Sequence, residues 1–84
     1  MINYIIMCRS LTYAQRTSRV LEHAGMAASI MRAPQGLDAG GCAYCIKISE
    51  RRLDDALSLM SREGIRPGKT YRADAYDSYT EVLP

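Results

Sequence analysis

Asn3-Tyr4-Ile5-Ile6-Met7-Cys8 is a run in which apolar and β-forming side chains fall on both alternating faces. A strand apolar on both faces belongs in the middle of a sheet, so this stretch predicts a central strand. A helix follows it. Ser10 and Thr12 each offer a cap, Thr12 with Gln15 fits a capping box, and Leu11, Ala14, Leu21 and Ala24 recur at helical spacing. Gly25 then supplies a residue at which positive φ is cheap and a helix can stop. Residues 27–31 predict a second strand, and residues 32–41, with one Pro and three Gly, predict a loop.

The same sequence of signals recurs downstream. Residues 45–48 predict a third strand, with Ile46 and Ile48 on one face and Lys47 on the other. Ser49 offers a cap for a helix running to Glu63, whose apolar stripe is Leu53, Ala56, Leu57 and Met60. Gly64 ends it as Gly25 ended the first. Residues 65–71 predict a fourth strand, placed at an edge because Pro67 has no N–H for a ladder. The order β-α-β-β-α-β predicts an α+β, ferredoxin-like sandwich, with two helices on one face of a four-stranded antiparallel sheet. Residues 1–84 read as a single domain, and 73–84 as a C-terminal tail carrying Tyr76, Tyr79 and Leu83.

Size and charge bound the function. A chain of 84 residues buries only about 60–65% of its extended surface, so a homo-oligomer interface would add to a thin core. Eleven basic and nine acidic residues leave a net charge of +2, and no basic block exceeds Arg51-Arg52, which argues against nucleic acid as a partner. There is no apolar run of about 20 residues to span a membrane. Residues 1–7 lack the basic start and cleavage site of a secretory leader. An odd set of three cysteines with one close pair fits a reducing cytoplasm better than a disulfide framework.

Those cysteines are where chemistry is concentrated. Cys42 and Cys45 lie in Gly40-Gly41-Cys42-Ala43-Tyr44-Cys45, and Cys8 ends the first strand. In the expected topology strands one and three are adjacent. Setting residue 8 opposite 42, 6 opposite 44 and 4 opposite 46 puts Cys8, Cys42, Tyr44 and Ile46 on one side of the sheet. Cys42 would then meet Cys8 at a rim shared with the start of the first helix, where Arg9 and Arg32 also fall. A thiolate is stabilised in such surroundings.

Bland readings stand beside this one. Cys42 also suits rim packing, Cys45 a buried strand position, and Cys8 apolar filler. Strict alternation turns Cys45 away from Cys42, so a bridge between them needs a turn over residues 42–45. Zinc needs four ligands, and three cysteines with His23 at the far end of the first helix do not supply them, so no metal and no cofactor is expected unless a second subunit completes a site. The pair flows into a strand and does not open a helix, which speaks against a dithiol oxidoreductase. Gly36, Gly40 and Gly41 match neither a P-loop nor a dinucleotide spacing.

Over residues 3–72 the chain resembles the selenium/sulfur carrier-like family, small bacterial domains. The resemblance rests on the opening apolar strand, a helix closing on Ala24-Gly25, a strand running into Ile30-Met31-Arg32-Ala33-Pro34, and a cysteine beginning the third strand. Cys42 matches the family cysteine. Family members usually place Gly directly after it, whereas this chain has Ala43 and adds Cys45, a two-thiol variant of the pattern. The resemblance implies holding a persulfide or its selenium equivalent for delivery, with a sulfur- or selenium-handling protein as partner.

The expected function is therefore a non-enzymatic sulfur or selenium carrier. Cys42 would accept the atom, Cys45 or Cys8 would release or guard it, and Arg9 and Arg32 would steady its charge. Two alternatives remain: a protein-binding or oligomerisation module with inert cysteines, and a cysteine-ligated metal carrier, which lacks the usual Met-x-Cys-x-x-Cys loop.

Overall fold

The computed structural model describes residues 2–34, 36, 37, 44–76 and 78–82. Among these the elements in chain order are β1 (Asn3–Cys8), α1 (Leu11–His23), β2 (Ser29–Arg32), β3 (Tyr44–Ser49), a 3-10 turn (Glu50–Arg52), α2 (Leu53–Arg62), β4 (Thr70–Ala73) and β5 (Tyr79–Val82). The strands form one sheet in the order β2-β3-β1-β4-β5, and every neighbouring pair is antiparallel. The doubly apolar β1 has a partner on each side.

The sheet has five strands, not the four expected, because the tail returns to it. The Asp74 carboxylate accepts the backbone N–H groups of Tyr76 at 2.8 Å and Ser78 at 3.0 Å. The Asp74 N–H donates to the Ser78 carbonyl at 3.1 Å. This turn lays Tyr79–Val82 against Thr70–Ala73. A second correction follows: β4 is interior, between β1 and β5. Pro67 lies ahead of β4, in the approach over residues 65–69, so its missing N–H costs the ladder nothing. In that approach Gly68 N–H donates to the Met7 carbonyl and Met7 N–H to that of Lys69, both at 2.9 Å.

The cap of α1 is Ser10, whose hydroxyl accepts the Tyr13 N–H at 3.1 Å; the Thr12 box does not form, since Thr12 is already inside the helix. The helix buries Ala14, Thr17, Ser18 and Leu21, while Leu11 and Ala24 stay exposed. The buried hydroxyls are satisfied: Thr17 donates to the Tyr13 carbonyl at 2.9 Å, and Ser18 to that of Ala28 at 3.0 Å. Ser49 makes no side-chain cap, because a 3-10 turn intervenes and α2 starts at Leu53. The expected α2 stripe does form, with Ala56 and Met60 buried and Leu53 and Leu57 packed beside them.

Alternation in the central strands divides the interior in two. Ile6, Cys8, Ile46 and Ile48 pack under both helices. Ile5, Met7, Cys45, Tyr71 and Ala73 form a cluster on the opposite face, against which Met31, Ala33, Leu37 and Tyr79 pack. Both helices therefore lie on one face, and the other face is also clothed. Among the described residues no helix is long and apolar enough to cross a membrane.

Candidate functional site

β1 and β3 pair with Asn3 opposite Ser49, Ile6 opposite Ile46 and Cys8 opposite Tyr44. The expected register is thus displaced by two residues: Tyr44, not Cys42, faces Cys8. A slip of two preserves parity, so Cys8, Tyr44 and Ile46 still share one face. On the far side of β3, Arg32 of β2 also lies opposite Tyr44. One row across the rim therefore reads Arg32, Tyr44, Cys8, with adjacent strands about 4.8 Å apart. Arg9 and the Ser10 cap of α1 follow directly.

Cys42 lies outside the described residues, so its meeting with Cys8 does too. Cys8 sits in the helix-side core at 1% exposure, with its thiol 3.7 Å from the Ile6 carbonyl oxygen. Cys45 is at 0% exposure in the opposite cluster, its thiol 4.0 Å from the Arg32 carbonyl oxygen. Burial pushes the Cys45 thiol up from 9.0 to about 11, because a thiolate there would lose its water. Although Met7, the neighbour of Cys8, is directly opposite Cys45, the two thiols point to opposite faces. No disulfide can join them across the intact sheet.

The two arginines are held by aromatic rings. The Arg32 guanidinium lies over the Tyr44 ring with Cζ 5.7 Å from the centroid, and Arg9 lies over the Tyr13 ring at 4.5 Å. A guanidinium stacked on an aromatic face keeps its N–H edges available to an anion. Arg9 and Arg32 were legible as rim residues from the strand order; the tyrosines that hold them were not. The signal for Tyr44 was present, since strand parity puts it beside Cys8, but the pairing with Arg32 needs the β2–β3 register.

Next to the rim a cleft of about 480 Å³ is lined by Arg9, Tyr13, Gly64, Arg66, Pro67 and Gly68. Sequence reasoning passed over Arg66, which lies far from Arg9 in the chain. Among the described residues no group of three or more His, Cys, Asp or Glu is placed to hold a metal ion.

The chain falls within a known family. The model of that family, described as Putative Se/S carrier protein-like, matches residues 3–72, and the chain belongs to it. No curated protein and no solved structure matches the chain.

Proposed function

We propose that the chain is a non-enzymatic carrier of a sulfane sulfur or selenium atom, and that Cys42 holds the cargo. The observation that carries this reading is the placement of the other two thiols. Cys8 and Cys45 are sealed in separate halves of the core, which leaves Cys42 as the cysteine for surface chemistry in a family of this kind. Cys42 stands two residues before Tyr44 in the chain and Arg32 lies opposite Tyr44, which supports Arg32 and Arg9 as the cations that steady an anionic sulfur. The reading takes β1 to β4 with both helices as a ferredoxin-like unit to which β5 is appended; the order β2-β3-β1-β4 supports it.

In the transfer step the Cys42 thiolate attacks the terminal sulfur of a donor protein's persulfide. A new S–S bond forms on Cys42 as the donor's S–S bond breaks, and the donor cysteine leaves as its thiolate with no net oxidation. Delivery to an acceptor is the same exchange in reverse. Neither Cys45 nor Cys8 reaches solvent in the folded chain, so neither thiol meets an external acceptor directly without local opening.

Pulsed alkylation of the reduced, native protein across pH, read residue by residue by mass spectrometry, tests the proposal. Cys42 is expected to label first, with an apparent pKa below the free-thiol value of about 8.5, and then to take up a persulfide from a donor. Labelling of Cys42 as slow as that of Cys8 and Cys45 would sink the carrier and leave a binding module with inert cysteines.

A further inference from the structure

The cleft beside the rim gathers residues from the start of α1 and the approach to β4. Arg9 and Arg66 both line it, and among the described residues no carboxylate side chain does. Among the described residues neither arginine meets a carboxylate at ion-pair distance. Tyr13 stands between them. Its ring carries the Arg9 guanidinium at 4.5 Å, and its hydroxyl oxygen accepts the Arg66 backbone N–H at 2.7 Å. Having accepted there, the phenol keeps its own hydrogen to donate.

The remaining wall leaves room. Gly64 and Gly68 present no side chain, and Gly68 has no alternative, because a Cβ there would come within 2.6 Å of the Met7 carbonyl oxygen. Pro67 adds an apolar surface. Among the described residues the cleft thus offers two arginines, one phenol donor and a volume of about 480 Å³, within the range of small-molecule sites.

We infer that this cleft binds a small phosphorylated molecule, with Arg9 and Arg66 on the phosphate and Tyr13 donating to a third oxygen. Two guanidiniums match the charge of a phosphate monoester, whose oxygens accept in the fork geometry that arginine supplies. A lone carboxylate would use one arginine and leave the other idle. The space beyond the charged end fits an organic group, and the near-neutral chain, at +2, lacks the basic stripe that a nucleic-acid backbone needs.

The test is an NMR titration of the full, reduced chain with phenyl phosphate at constant ionic strength. Parallel titrations use inorganic phosphate, sodium chloride and a short oligonucleotide. Saturable shifts are expected at the amides of Arg9, Tyr13, Arg66 and Gly68. The Arg9→Gln/Arg66→Gln double variant, with both changes at exposed side chains, should weaken binding by about tenfold or more. Shifts that do not saturate, that chloride reproduces, or that survive in the double variant would overturn the inference. So would inorganic phosphate binding as tightly as the ester, or the oligonucleotide binding in its place. The readout involves no thiol, so this inference and the carrier reading fail separately.

Discussion

Cys45 shows how one buried side chain sets a pH dependence. Its folded thiol titrates at about 11 against 9.0 unfolded, so the native state holds its proton longer than the unfolded chain does. That stabilisation is complete below pH 9.0 and is lost as pH rises towards about 11. Cys45→Ala should remove this part of the alkaline loss, seen as a shallower fall in denaturant midpoint between those pH values than in the parent protein. Gly68 makes a steric prediction. A Cβ would meet backbone, the Met7 carbonyl oxygen at 2.6 Å, which cannot rotate away. Gly68→Ala should therefore cost about 1–3 kcal/mol in urea unfolding. Neither effect is visible in the sequence, where Cys45 is one half of a promising pair and Gly68 is a residue after a proline. Burial and close approach belong to the folded chain.

Among the elements, those bounded by local chemistry were the legible ones. Gly25 and Gly64 stop α1 and α2 with φ of +82° and +73°, and the Leu53, Ala56, Leu57, Met60 stripe lands on the core. Helical spacing and positive φ are written within a few residues of each other. The β1–β3 register was not, because sliding by two returns every side chain to the same face and leaves the apolar pattern unchanged. β5 was missed for a different reason. Tyr79–Val82 is mostly exposed, so no apolar alternation announces it, and its place is fixed by the Asp74 turn. The backbone N–H groups of Ser78 and Tyr76 hold the Asp74 carboxyl below its ordinary 3.8. The hairpin should stay closed above that value and loosen as pH falls through the depressed one. Asp74→Ala should open it at neutral pH, read as faster amide exchange at Thr80 and Val82 with β1 and β3 unchanged.

At the scale of the whole molecule, the family match ends at residue 72, while β5 spans Tyr79–Val82. The last strand therefore lies beyond the shared unit. Its pairing with β4 occupies backbone groups that would otherwise form an open edge. Ending the chain after Asp74 should expose that edge and drive self-association, measured as a rise in mass by light scattering with concentration; a truncated chain that stays monomeric would contradict this role. Cys8 and Cys45 lie in neighbouring strands yet face opposite ways, one under the helices and one against Met31, Ala33 and Leu37. The folded sheet is thus an insulating wall between two sulfurs that the loose chain would readily join. A bridge between residues 8 and 45, found in stored or oxidised protein, would be a lasting record that the molecule had come apart.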